Sequence, residues 1–170
     1  MKTLLGGNRT VFAQDKYRIL KASSRDAPIV SALTKGDWSE RVALSQRRKN
    51  DNPSQIADDL RAGGGLVLYR NGVPVAALSY VKARDGSWEL RRLGVTRSFA
   101  GRGFTTLLLD TLETLARGAE VRSIRIPVET NTPQYRAYFE KLGFSAESEQ
   151  TFSTIFAGAM QPVRMRKVVA

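Results

Sequence analysis

The stretch LGVTRSFAGRGFTTLLLDTLE, residues 93–113, decides the fold. It opens as a strand, turns through a loop holding Gly101 and Gly103, and closes as a helix. Phe104, Leu107, Leu108, Leu112 and Leu115 recur at helical spacing and predict one core-facing stripe. Asp110, Glu113 and Arg117 are expected to point elsewhere, and Gly118 to end the helix. Ahead of the helix, the two glycines permit left-handed turns and let the backbone approach a ligand closely. The partial positive charge of the helix start favours an anion such as a phosphate there. A plain left-handed turn with no ligand is the alternative these residues leave open.

Two phosphate-binding patterns can be tested against the loop. A Walker A loop needs G-x-x-x-x-G-K-[ST], and no lysine follows these glycines. A dinucleotide fingerprint needs G-x-G-x-x-G, and Thr106 stands in place of the third glycine. Glu129, at the end of the next predicted strand, could serve as a ribose-binding acid. However, five residues separate Val95 from Gly101, too many for a tight turn directly off the strand.

Outward from this core, KYRILKAS (16–23) alternates as a strand, and residues 1–14 read as a loose tail before one domain spanning 15–170. SRDAPIVSALTKG predicts a short helix capped by Ser24 or Asp26. Trp38–Lys49 and Pro53–Ala62 are two further helix candidates, the second closed by a run of three glycines as a stop. LVLYRNGVPVAALSYVKA is a hairpin turning at Asn71-Gly72, and Asp85-Gly86 turns into SWELRRLGV (87–95). VRSIRIPVET (121–130) predicts the next strand. NTPQYRAYFEKLGF predicts a helix with Asn131 or Thr132 as cap and Pro133 in its first turn. Its end, KLGF, places Gly143 in the left-handed C-cap position with Phe144 packing back near Phe139. Residues 144–170 should hold two strands, the last being PVRMRKVV. The predicted class is α/β, with a mixed, mostly antiparallel sheet flanked by helices.

Composition narrows the chemistry. The 170 residues are 42% hydrophobic and 25% charged, ordinary for a globular domain. The chain has no cysteine and no histidine. That removes a cysteine nucleophile, a Ser-His-Asp triad, a histidine base and thiolate or imidazole metal sites, so no metal is expected. Proton transfer must fall to Glu, Asp, Tyr, Lys or water. Nothing approaches a membrane span, and the start offers only Leu4 and Leu5 before a glycine pair, so a cytoplasmic location is expected. The formal charge of +11, from 27 Lys+Arg against 16 Asp+Glu, leaves open a simply basic protein or a polyanionic partner, whether a phosphorylated cofactor, a nucleic acid or both.

Four stretches in this order resemble the GNAT superfamily of acyl-CoA-dependent N-acyltransferases, over about residues 15–169: YRILKASSRDAPIVSAL, ELRRLGVTRSFAGRGFTTLLL, NTPQYRAYFEKLGF and VRMRKVV. The resemblance implies the GNAT fold, acetyl-CoA as co-substrate, and acetyl transfer to an amine. It implies a pyrophosphate loop over Gly101, Arg102, Gly103, Phe104, Thr105 and Thr106. It further implies that Leu93, Gly94 and Val95 pair their backbone with the pantetheine arm, and that Asn131 touches the cofactor. Three positions depart from the family pattern. Ala100 replaces the loop's first Arg or Gln, Thr105 its last Gly or Ala, and Phe139 the tyrosine that protonates the leaving thiolate. Arg97 and Arg102 remain as charge partners, and Tyr138, one position earlier, as the candidate acid.

Acyl transfer needs donors for the thioester oxygen and a base for the ammonium nucleophile. Glu89 is the candidate base. It lies six residues before Val95, the spacing at which the resemblance to the GNAT superfamily implies a catalytic glutamate on this strand, and an unbulged strand would put both on one face. Its alternative is a structural salt bridge to Arg91 or to an adjacent strand. Arg91 and Arg92 should face opposite sides, leaving one arginine to bind an acidic substrate group. The acceptor is open: a small-molecule amine, a peptide, an aminoacyl-tRNA or a ribosomal partner. A non-catalytic acyl-CoA-binding module and a homodimer are also open, and no membrane partner is expected.

Overall fold

The computed structural model describes residues 9–35, 52–128, 133–147 and 163–169. In chain order these form β1 (Thr10–Gln14), β2 (Tyr17–Ala22), α1 (Ala27–Thr34), α2 (Pro53–Ala62), β3 (Gly63–Arg70), β4 (Val73–Lys82) and β5 (Trp88–Val95). Then follow α3 (Phe104–Gly118), β6 (Ser123–Val128), α4 (Pro133–Lys141), β7 (Ser145–Ala146) and β8 (Val163–Val168). The strands make one sheet of eight in the order β1-β2-β3-β4-β5-β6-β8-β7. Only β5 and β6 run parallel; the other neighbours are antiparallel. This is the mixed, mostly antiparallel α/β sheet expected from the sequence. Among the described residues no helix is long and apolar enough to cross a membrane.

Helices cover both faces. On one, α3 and α4 bury Phe104, Leu108, Leu112 and Phe139 against Leu66, Leu78, Leu90 and Ile124. On the other, α1 and α2 bury Val30, Leu33, Ile56 and Leu60 against Val67 and Ala77. α4 ends as expected: Gly143 has φ +91°, the Phe144 N–H donates to the Phe139 carbonyl at 3.0 Å, and their rings meet edge to face at 5.9 Å.

Several expectations are corrected. Residues 10–14 are not tail but the edge strand β1, while Arg9 beside them reaches the Asp26 carboxylate and donates to the Lys21 carbonyl. The three glycines after α2 begin β3 instead of separating it from the helix. A Cβ on Gly63 would lie 2.1 Å from the Tyr80 carbonyl oxygen, so only glycine fits where β4 passes. Glu113 does not point to solvent: it is buried, with Lys167 of β8 at 2.5 Å and Arg117 at 3.3 Å. The stripe is also turned slightly, since Leu109 and Ala116 are buried while Leu107 and Leu115 are half-buried. The helix candidate at 38–49, Asn131 with its capping role, and Glu129 lie outside the described residues.

Candidate active site

The site grows from one topological fact. β5 pairs with β6 at two positions only, Trp88 with Ile124 and Glu89 with Arg125. β6 then continues to Val128 along β8, and β5 continues to Val95 along β4. Beyond Glu89 the two parallel strands part. The β6-facing edge of β5 therefore has no paired strand among the described residues, and unpaired strand edges present hydrogen-bonding groups to a ligand. The wedge has its vertex at Glu89 and Arg125 and opens toward Val95 and the glycine loop.

β5 is bulged within this wedge. Ser79 of β4 pairs with Arg92 but Tyr80 pairs with Leu90, leaving Arg91 as the extra residue. Trp88 and Leu90 face the α3 side, and after the bulge Leu93 and Val95 do so again. Glu89, between Trp88 and Leu90, faces the α1–α2 side. The same-face relation of Glu89 and Val95 expected for a regular strand is thus broken by the bulge, which the alternation of the sequence did not reveal. Glu89 pairs with Arg91 at 3.2 Å, both partly exposed. Arg92 is the deeply buried arginine, reaching Asp59 of α2 at 2.7 Å and the Ser79 hydroxyl at 3.3 Å. Around the vertex, Arg125 holds Asp85 at 2.6 Å and Glu147 at 2.8 Å, and Arg166 joins the same two carboxylates.

Leu93 and Val95 bury their side chains in the core, so they can offer the wedge only backbone. Gly94 has a packing reason of its own: a Cβ there would lie 2.2 Å from the Leu33 carbonyl oxygen of α1. At the open end, Gly101 and Gly103 have φ of +74° and +80°, with open space where each Cβ would stand. Gly103 is the N-cap of α3 and has no side chain to cap it; the first accepting carbonyl is its own, taken by Leu107 N–H at 3.0 Å. The first-turn N–H groups at Phe104, Thr105 and Thr106 are left without a helical partner. A phosphate fits this combination of open loop, uncapped helix start and nearby arginine. Phe104 and Thr105 bury their side chains and anchor the turn, Phe104 against Tyr17 and Phe99 at 5.3 and 5.9 Å.

Two residues here escaped sequence reasoning. The guanidinium of Arg70, from the end of β3, lies over the Phe99 ring at 5.5 Å, as does that of Arg102 at 4.9 Å. The Arg70 Nε is buried with no hydrogen-bond partner among the described residues, and so is the hydroxyl of Thr96, the residue after β5. Unsatisfied buried polar atoms are rare and call for an explanation. No local pattern flags them, because only the sheet brings Arg70 to the loop. Tyr138 is half-buried at the rim of the α3–α4 core, its ring edge-on to Phe139 at 5.4 Å, and Phe139 itself is fully buried.

The profile of the acetyltransferase (GNAT) family matches residues 30–144, more than half the chain and all of the wedge and loop. The chain belongs to the GNAT acetyltransferase family. Its fold is that of solved GNAT enzymes. The ribosomal-protein-S18-alanine N-acetyltransferase from Escherichia coli superposes with a TM-score of 0.70 at 16% identity, covering 91% of this chain and 94% of that one. The PaiA N-acetyltransferase from Thermoplasma acidophilum, in complex with coenzyme A, gives 0.70 at 14% identity, covering 91% and 99%. An IAA acetyltransferase from Bacillus cereus gives 0.65 at 17% identity, covering 89% and 99%. No curated protein is similar enough in sequence to match this GNAT chain.

Proposed function

We propose that this GNAT protein transfers an acetyl group from acetyl-CoA to an amine by direct attack, with Glu89 as general base. The observation that carries the reading is the parting of β5 from β6 beside a glycine loop at a helix start. The pyrophosphate is assigned to the N–H groups of Gly101 to Thr106, with Arg102 and Arg70 beside them. The pantetheine arm is assigned to the open edge of Leu93, Gly94 and Val95, with the Thr96 hydroxyl as a further donor and Asn131 as a further contact.

The reaction makes these demands on the residues. The acceptor nitrogen forms a C–N bond as the C–S bond breaks and CoA leaves as thiolate. An alkylammonium has a pKa of about 10, so it must lose a proton before it attacks. Glu89, at the vertex of the wedge, takes that proton directly or through water. A backbone N–H of the strand end Leu93–Val95 meets the thioester oxygen as charge develops on it. The second proton, released as the amide forms, goes to the thiolate, with Tyr138 as the donor that is then reprotonated. With no cysteine in the sequence, no acyl-cysteine intermediate forms.

Calorimetry tests the cofactor assignment. Gly103→Asp places a carboxylate where the pyrophosphate is assigned, and acetyl-CoA affinity should fall at least tenfold, about 1.4 kcal/mol. Unchanged affinity in a folded Gly103→Asp protein would remove the assignment.

A second reading, a nucleic-acid-directed acceptor such as an aminoacyl-tRNA or a ribosomal partner, is favoured by charge. The sequence carries +11, and Lys16 and Arg18, with one carboxylate, Asp15, beside them, line an open groove of about 610 Å³ together with Leu20, Tyr69 and Asn71. Neither cation has an ion-pair partner among the described residues. RNA binding whose affinity falls steeply with salt would support it; no RNA binding at low salt would remove it.

A further inference from the structure

We infer that the acceptor is a zwitterion, a free amino acid whose carboxylate is bound by Arg91 while its amine meets Glu89. The inference rests on the transferase reading above and concerns the acceptor class.

Glu89 and Arg91 lie one bulge apart on β5, with Oε1 and Nη2 3.2 Å from each other. They stand at the vertex of the wedge, where the last rung of the β5–β6 ladder joins Glu89 to Arg125. Each has the other as its ion-pair partner, while the neighbouring cations are engaged elsewhere: Arg125 and Arg166 by Asp85 and Glu147, and Arg92 by Asp59. Arg91 also keeps its Nε buried without a hydrogen bond among the described residues. A guanidinium presents a fork of donors suited to a carboxylate, and here part of that fork is unused.

Charge balance then selects the acceptor. Once Glu89 takes the ammonium proton it is neutral, and Arg91 loses its counter-ion in a partly buried site. Leaving a partly buried charge unpaired is unfavourable. An acceptor that carries its own carboxylate supplies the replacement, exchanging one ion pair for another with no unpaired charge left behind. A simple alkylamine or polyamine cannot do this. The close spacing of the two groups requires the amine and carboxylate of the ligand to lie on the same or adjacent carbons, as in an α- or β-amino acid.

The test compares amino acids with their methyl esters and amides as acceptors, reading CoA release and acetylated product. Free acids should exceed esters and amides in kcat/KM at least tenfold. In Arg91→Gln that ratio should collapse toward one, chiefly through the KM of the free acid, and Arg91→Lys should restore part of it. Esters or amides accepted as well as free acids would overturn the inference, as would an acid-to-ester ratio that Arg91→Gln leaves intact. The transferase reading would survive either result. Acetyl-CoA binding with no transfer to any acceptor would instead sink that reading, and this inference with it.

Discussion

Glu89 stands at the last rung of the β5–β6 ladder, with Arg91 as its partner. Glu89→Gln keeps the shape and removes the proposed base. We expect kcat to fall by about 10²-fold or more, as loss of a general base does, with acetyl-CoA affinity little changed. The loss should shrink as pH rises and free amine accumulates. Near-normal kcat from pH 6 to 9 with a confirmed substrate would make Glu89 structural. Gly94 tests packing at the same scale. In Gly94→Ala the new Cβ meets backbone, 2.2 Å from the Leu33 oxygen and 2.8 Å from the Thr34 Cα, so neither side can yield by a rotamer change. The expected cost is ~1–3 kcal/mol, read as a Tm drop of roughly 2–4 °C per kcal/mol. An unchanged Tm would show that α1 can move off β5.

At the scale of elements, the turn from β4 into β5 fixes the vertex. The Ser87 hydroxyl and N–H donate to the Asp85 carboxylate at 2.7 and 3.0 Å. These hydrogen bonds hold its pKa below the usual carboxylate value against an opposing effect of burial, and the charges of Arg125 and Arg166 add a smaller lowering. The folded state therefore favours ionised Asp85. Its contribution is present above the unfolded value of about 3.9 and is lost as pH falls through the lower folded value. Asp85→Asn should accordingly cost stability at neutral pH, and the gap from wild type should close below about pH 4. A gap that stays constant through acid unfolding would remove the assignment. Elements were also what the sequence showed best. Turn dipeptides, the strand–glycine–helix run and the KLGF cap are local signals, and they placed α2, the β3–β4 hairpin, β5, α3 and the end of α4. The bulge at Arg91, the burial of Glu113 under Lys167, and the strand character of Gly63 are set by residues distant in sequence, so no local pattern carried them.

For the whole molecule, two helical layers grip one sheet, and among the described residues the sheet parts where the parallel β5–β6 pairing ends, beyond Glu89. The candidate site was legible where its chemistry is local, in the glycines of the loop and the apolar stripe of α3. Arg70 was not, because only the folded sheet brings the end of β3 to the loop, and the burial of the Thr96 hydroxyl is set by packing that no local pattern records. The positive charge should speed acetyl-CoA capture at low ionic strength. The central claim is that the wedge is a catalytic cleft and not only a cofactor-binding one. Its most direct test is incubation of the protein with acetyl-CoA and a panel of amines, amino acids, peptides and charged tRNAs, with free CoA and acetylated product measured together. The account predicts CoA and one amide product in equal amounts, with both lost in Glu89→Gln at neutral pH. Tight acetyl-CoA binding with no product above the uncatalysed rate for any acceptor would contradict it and leave a non-catalytic acyl-CoA-binding module.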